Sequence, residues 1–416
     1  MSSGQLFLPL ADHGVGQSHI NSQDTLPERP MSSELPTKPR LNEASAPAQL
    51  WRRVFEAHKD GIWSFVFLHD NVHIVSAVDG TICKWDCETE ILVGEPWKGE
   101  GGYIWALALS PDGKTIACGR DDGSVQRWNT DGEMSEDVWM GHRKYVRLVS
   151  WSPSGGHIAS GSGDGTILIQ KAGSGEIEVG PIETGQGWVR SLAYSPSGDR
   201  IASGGFKTIC IWDSNTGKLL VGPIKDLGTT VTSVVWSLDS NKLYSASDKF
   251  ARVFDSVSGI ELYRFEHNDY LNSVALSPKH NLLACVGFGG IAQLWDTESY
   301  QPLGKPFSIE DSAELFCVSF SLDGRYLACS GDDNKITLWI VKDITPQLAL
   351  PAPTTQQETL PEPAPLSYLD VSTLTFHSSP CSYIHNRSML QILLDSLESM
   401  TSPRRHPMTH MTTFSV

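Results

Sequence analysis

Histidine, serine and aspartate recur along this chain, and together they are the residue types of a hydrolytic catalytic triad. One set contains His58, Ser76 and Asp79. An active site would use one nucleophile and one base, whereas members of this set recur from unit to unit of a longer repeat and only the first unit has all of them. The repetition favours an architectural role over catalysis, and we therefore expect no catalytic residue and no enzyme activity.

Cysteine is the second residue type that could do chemistry. The chain has eight cysteines, and Cys83 and Cys87 form a C-x3-C pair. No second cysteine or histidine pair follows at the spacing of zinc ligands. We expect buried free thiols and neither a metal ion nor a cofactor.

The elements that carry these residues repeat seven times between Trp51 and Ile344, at intervals of 41 to 44 residues. The end of the third strand of each copy marks the period: Trp85-Asp86, Trp128-Asn129, Gln170-Lys171, Trp212-Asp213, Phe254-Asp255, Trp295-Asp296 and Trp339-Ile340. A fixed period of this length predicts an array of similar supersecondary units.

Within each copy, turns such as Ser110-Pro111-Asp112-Gly113 separate short apolar segments that read as four β-strands. Four strands in about 42 residues, repeated radially, predict an all-β fold, a seven-bladed β-propeller over residues 48–344. We expect 51–55 to be the outer strand of the last blade and to pair with the strand that ends at Trp339, which would close the ring.

The two ends of the chain have a different composition. Residues 1–47 are rich in Ser, Pro, Gln, Glu and Thr and predict a disordered leader. Residues 345–416 predict a Pro-rich linker and a mostly disordered tail, in which 386–400 carries leucines at helical spacing and could form a short helix.

The charge balance narrows the range of partners. The chain has 48 acidic and 32 basic side chains, for a formal charge of −16. Nucleic-acid binding rests on clustered Lys and Arg, so we expect no nucleic-acid partner. The sequence contains no signal peptide and no apolar membrane span, which predicts an intracellular protein, cytoplasmic or nuclear or both, with no membrane partner.

One copy carries a family resemblance almost residue by residue: His142, then Trp151-Ser152-Pro153, then 158–167. This segment and its six counterparts resemble the WD-repeat family. The linker Val-Gly-Pro-Ile at 179–182 and 221–224 further resembles the stand-alone WD-repeat proteins of fungi, and no P-loop is present. The resemblance implies a buried chain of hydrogen bonds from Trp to Ser or Thr, then to His and then to Asp. Its members here would be His58, Ser76, Asp79, Trp85, Asp122, Trp128, His142, Ser160, Asp164, Ser203, Trp212, Trp295, Asp333 and Trp339.

In that family, residues beside the start of the first strand often face the narrower rim of the ring and contact partners. Here these positions are mostly Trp, Tyr and Arg, the types enriched at binding hot spots. The predicted contacts are Trp63, Tyr103, Trp105, Tyr145, Arg147, Trp188, Arg190, Tyr270 and Phe316. Packing of several of these rings as core between blades is the alternative.

We therefore predict a non-catalytic scaffold or adaptor whose rigid rim binds a protein or peptide. The two arginines next to aromatic residues would suit an acidic segment. A fungal-type self/non-self recognition propeller is one alternative. A small-molecule-binding or quinoprotein-like enzyme is another.

Overall fold

Short antiparallel β-strands make up almost all of the computed structural model, which describes residues 52–56, 60–308 and 314–345. The first strand is β1 (Arg52–Glu56), and the later strands follow in groups, one group to a blade. Blade one contains β2 (Ser64–Phe67), β3 (His73–Val78), β4 (Thr81–Asp86) and β5 (Trp97–Lys98). Blade two contains β6 (Ile104–Leu109), β7 (Thr115–Arg120) and β8 (Val125–Asn129). Blade three contains β9 (Val146–Trp151), β10 (His157–Ser162), β11 (Thr166–Lys171) and β12 (Ile177–Glu183).

The remaining blades follow the same order from the inside of the ring to the outside. Blade four contains β13 (Ser191–Tyr194), β14 (Arg200–Gly205), β15 (Thr208–Asp213) and β16 (Leu219–Ile224). Blade five contains β17 (Val231–Trp236), β18 (Lys242–Ser247), β19 (Phe250–Asp255) and β20 (Glu261–Glu266). Blade six contains β21 (Leu271–Leu276), β22 (Leu282–Gly287), a 3-10 turn (Phe288–Gly290), β23 (Ile291–Asp296) and β24 (Pro302–Ser308). Blade seven contains β25 (Leu315–Phe320), β26 (Tyr326–Gly331) and β27 (Lys335–Ile340), after which comes the short helix α1 (Val341–Ile344).

The inner strands are apolar because each is covered on both faces by neighbouring blades. Every residue of β6, β9 and β17 is buried. Serine hydroxyls satisfy backbone groups across the blade boundaries: Ser64 Oγ accepts from Leu107 N at 2.8 Å, and Ser150 Oγ accepts from Tyr194 N at 3.1 Å. These bonds link adjacent inner strands without placing an unsatisfied polar atom in the core.

Strand β1 closes the ring. It pairs antiparallel with β27, with Arg52 opposite Trp339 and Phe55 opposite Ile336, and it completes the sheet of blade seven. The innermost strands contact one another in sequence, and β25 of blade seven packs against β2 of blade one. The predicted seven-bladed propeller and its closure by the first strand are confirmed.

Blade two departs from the four-strand pattern. Its sheet has three strands, and two isolated bridges, Val125 to Trp139 and Trp128 to Met134, stand where a fourth strand would run. The side chain of Asn129 accepts hydrogen bonds from the backbone of Asp131 and Glu133 and folds this segment into a turn. The predicted leader at 1–47, and residues 346–416 with the helix at 386–400, lie outside the described residues.

Candidate interaction surface at the rim

Blade three contains a continuous buried chain of polar side chains. His142 Nε2 lies 2.8 Å from Ser160 Oγ, and His142 Nδ1 lies 3.1 Å from the Thr166 hydroxyl. That hydroxyl donates to Asp164 at 2.7 Å. Burial opposes ionisation of Asp164, but the hydrogen bonds from His142, Arg143 N and Thr166 hold the pKa of its carboxyl well below the usual range. The chain connects the loop before β9 to strands β10 and β11, which is a structural arrangement.

Blades one and four each have an indole that donates to a serine. Trp85 Nε1 donates to Ser76 Oγ at 2.9 Å, and Trp212 Nε1 donates to Ser203 Oγ at 2.8 Å. In blade four the serine in turn donates to Gln186 Oε1 at 2.6 Å. Sequence reasoning missed Gln186 because it lies three residues before Val189, whereas His142 lies four before Val146.

Three other members of the predicted network, Asp79, Trp128 and Trp295, do not make the expected bonds, and a fourth is not described. His58 lies outside the described residues, and Asp79 hydrogen-bonds to Tyr103. In blade two, where Cys118 replaces serine, the Trp128 indole lies beside the thiol and has no oxygen acceptor among the described residues. The Trp295 indole also lacks an acceptor within the described ring, since Cys285 replaces the serine there.

Two further aspartates and one tryptophan of the predicted network have local roles. Asp122 accepts from Ser124 N at 3.0 Å and Asp333 accepts from Lys335 N at 3.1 Å, so each stabilises its own turn. Trp339 is buried, with its ring edge-on to Phe307 at 5.1 Å between centroids.

At one end of the ring, side chains from five blades form a contiguous group, which we call the rim cluster: Phe316, Trp63, Tyr103, Trp105, Tyr145, Arg147, Trp188 and Arg190. Trp63 stacks on Phe316, with ring centroids 4.2 Å apart and planes 2° from parallel. Trp63 is 5.8 Å from Trp105, Trp105 is 5.8 Å from Tyr145, and Tyr145 is 6.4 Å from Trp188. Each step crosses from one blade to the next.

The rim positions lie together because the residue before each inner strand lies at the same end as the turn that joins the second and third strands. Asp121 N donates to Tyr103 O at 2.9 Å, and Gly163 N donates to Tyr145 O at 3.1 Å. Neighbouring inner strands pack side by side, so the side chains at their starts lie close together at one end of the ring. Tyr270, by contrast, is 50% exposed and packs edge-on to Phe288 in blade six, apart from the cluster.

Burial divides the predicted contact residues into two groups. Tyr103 is 37% exposed, and Trp63, Tyr145 and Trp188 are half-buried. The other members are buried and pack against the more exposed rings: Trp105, Arg147, Arg190 and Phe316. Direct partner contact of these four stays a prediction, and their burial favours the packing alternative.

Both arginines lie against aromatic faces. Arg147 Cζ is 4.9 Å from the Trp105 centroid and 5.7 Å from that of Trp63, and Arg190 Cζ is 4.6 Å from that of Trp188. Burial and then the neighbouring Arg190 lower the pKa of Arg147 to about 9, so it remains cationic at neutral pH. The expected direct contact of these guanidinium groups with an acidic segment does not fit their burial.

Carboxylates lie next to several members of the cluster. Asp121 accepts from Trp105 Nε1 at 3.0 Å, and Glu314 N donates to Asp332 Oδ1 at 2.8 Å beside Phe316. Burial and the nearby carboxylates, Asp79 first among them, raise the pKa of the Tyr103 hydroxyl to about 12. This part of the rim therefore combines aromatic surface with negative charge.

The cysteines of the described part of the chain lie in its interior. Its seven cysteines are all buried and unpaired, and burial raises the pKa of Cys83 to about 11 and that of Cys87 to about 12. No group of three potential metal ligands occurs among the described residues. The same residues contain no helix long and apolar enough to span a membrane.

The fold and this surface define a seven-bladed repeat propeller with a partly exposed aromatic end. The family model for the WD domain, G-beta repeat, matches residues 51–86, 93–129, 135–169, 180–213, 222–255, 259–296 and 306–339, and the chain belongs to this family. The resemblance to fungal propellers stays a prediction.

Individual relatives match over shorter segments. The chain is 33% identical over 90 residues to the small ribosomal subunit protein RACK1 of Drosophila melanogaster, covering 20% of this chain and 28% of that protein. It is 38% identical over 78 residues to the protein transport protein SEC13 of Chaetomium thermophilum, covering 18% and 25%. The matches thus span about a quarter of the length of these relatives.

Proposed function

We propose that this protein is a non-catalytic interaction platform that binds a protein or peptide partner at the rim cluster. The observation that carries the proposal is the unbroken contact of aromatic rings from blade seven to blade four, with Tyr103 exposed and Trp63, Tyr145 and Trp188 half-exposed. Aromatic side chains supply large contact area with few rotatable bonds, which suits them to binding surfaces.

Preorganisation supports this function. The exposed rings rest on buried Trp105, Arg147 and Phe316, and these side chains are held by the inner strands. A partner would therefore meet a surface whose rotamers are already fixed, so binding would cost little conformational entropy. The names of the relatives are compatible with such a role, since one is a ribosomal subunit protein and the other a protein transport protein.

Site-specific photo-crosslinking tests the proposal in the organism's own extract. A photo-crosslinking amino acid would replace Tyr103 in one protein and Leu220, which is 50% exposed on β16 of blade four, in a control. We expect a discrete cross-linked partner from position 103 that is absent from position 220. The partner should be lost on Trp63→Ala, while circular dichroism shows that the ring remains folded. Equal cross-linking from both positions would refute a rim-specific platform.

A further inference from the structure

We propose that the segment bound at the rim cluster is basic, and that a lysine or arginine side chain of the partner lies over the blade seven, one and two part of the rim. This inference rests on the proposed function and specifies its partner. It reverses the expectation drawn from the arginines in the sequence, because Arg147 and Arg190 are buried whereas several carboxylates of this surface are exposed.

The accessible charge next to Tyr103 is negative. Asp60 is exposed and lies three residues before Trp63, and its field raises the pKa of Tyr103. Asp79 is exposed and hydrogen-bonded to Tyr103. Both carboxylates therefore lie beside the most exposed ring of the cluster.

Blade seven extends the negative surface. Asp332 is exposed, and its Cα would lie 3.5 Å from a Cβ at Gly61. Glu314 is half-buried, accepts from Asn272 Nδ2 at 3.0 Å, and immediately precedes Leu315 and Phe316. Two carboxylates of blade seven, Asp332 and Glu314, are thus close along the backbone to the stacked pair of Phe316 and Trp63.

Among the described residues, the cations of this region are in the interior, in blade three or, in the case of Lys335 beside Asp333, half-buried in blade seven. Arg120 is fully buried and donates to the carbonyl oxygens of Gly99 and Gly102 and to the Gln126 side chain. Arg147 is 3% exposed. The exposed cations Arg143 and Lys144 belong to the loop before β9, on the far side of Trp105.

A partner cation would gain two interactions at this place. It could contact the exposed ring faces, which attract cations, and pair with the carboxylates at the edge. An acidic segment would instead approach like charges, and the formal net charge of −16 would oppose it at longer range. The exposed cations of blade three favour an orientation in which the basic residues of the partner lie away from Arg143 and Lys144.

Charge-neutral variants test the inference with a defined probe. In Asp60→Asn plus Asp332→Asn, the amide oxygen can still accept the bonds from Gly61 N and Glu314 N, while two charges are lost. The matched control is Glu88→Gln plus Glu298→Gln, two exposed positions in turns after the third strands, at the opposite end of the blades. It changes the net charge by the same amount.

The probe is a fluorescein-labelled peptide of roughly 12 residues that alternates lysine or arginine with glycine or serine, and the comparison peptide has glutamate at the charged positions. Fluorescence anisotropy should show that the basic peptide binds at least about tenfold more tightly than the acidic one. The double rim variant should weaken it by about fivefold or more, consistent with a few-fold loss for each exposed pair. The control variant should change Kd by less than about twofold.

Two outcomes would overturn the inference: equal effects of the rim and control variants, or tighter binding of the acidic peptide. The cross-linked partner from position 103 separates this failure from failure of the platform. The cross-linked segment of the partner could be acidic or neutral, and its capture could be unaffected by Asp60→Asn plus Asp332→Asn. In that case the proposed interaction platform stands and the basic-partner inference fails. If position 103 captures nothing specific, the platform itself fails.

Discussion

Replacement of Gln186 by methionine should destabilise blade four although the volume of the side chain hardly changes. Gln186 is 3% exposed, and its Oε1 accepts from the Ser203 hydroxyl at 2.6 Å. Its Nε2 donates to the carbonyl and hydroxyl oxygens of Thr208 at 3.0 and 3.2 Å. Methionine offers neither an acceptor to the Ser203 hydroxyl nor a donor to the Thr208 carbonyl oxygen, so both groups would lose this partner. Each such loss costs about 1–3 kcal/mol, so we expect the free energy of unfolding to fall by about 2–4 kcal/mol.

Equilibrium urea unfolding, followed both by tryptophan fluorescence and by far-ultraviolet circular dichroism, would measure this change. Coincidence of the two transitions is required, because a ring of this size could unfold through intermediates. A double-mutant cycle with Ser203→Ala isolates the bond itself, and we expect the two substitutions to be non-additive by about 0.5 kcal/mol or more. A loss below about 0.5 kcal/mol for Gln186→Met, or strict additivity, would refute the structural role assigned to Gln186.

Three other perturbations test ring closure, burial of a histidine and a buried ion pair. Phe55→Ala empties a fully buried position in the closing strand and should lower the free energy of unfolding by about 3–5 kcal/mol in urea titration; an unchanged midpoint would contradict closure. Burial lowers the pKa of His267 from 6.5 to about 4, so stability present above pH 6.5 is lost as the pH falls towards 4. Between about pH 7 and pH 5 the wild type should lose about 2 kcal/mol more than His267→Phe, and parallel pH profiles would exclude this role. Arg252→Met leaves Asp248 without a guanidinium that donates at 3.0 and 3.1 Å, and should cost about 2–4 kcal/mol, largely recovered by Asp248→Asn in the same chain.

The fold was predictable from the sequence because the same pattern of turns and apolar strands is repeated in each copy. Seven segments with similar turns and the same apolar spacing leave few alternatives to a closed ring. The strand predicted at 51–55 corresponds to β1, which pairs with β27 as expected. The irregular outer edge of blade two was not predictable at this level. It depends on the side chain of Asn129, which competes locally with strand pairing by binding the following backbone.

The candidate site was predictable in position but only partly in character. The residues beside the inner strands of blade seven and of blades one to four do converge, since strand register determines where they lie. Whether each side chain contacts solvent depends on the size of its neighbours across the blade boundary: Phe316 lies under Trp63, and Arg147 lies under both Trp63 and Trp105. The spacing pattern alone does not reveal which side chain covers which. Arg147 and Arg190 stand out in the sequence, but both are buried and contribute little accessible charge.

The same physical requirement explains why the polar network varies among blades. A polar atom buried between two blades needs a partner, but the requirement does not specify which residue supplies it. His142 and Asp164 meet it in blade three, Gln186 in blade four and Arg252 with Asp248 in blade five. Different residues can therefore fill the network positions of different blades without loss of the propeller fold. Exposed rim positions have no such internal substitute, because under the proposed function a partner would complete their interactions. A change at Tyr103 should for this reason alter binding while leaving the stability of the propeller nearly unchanged.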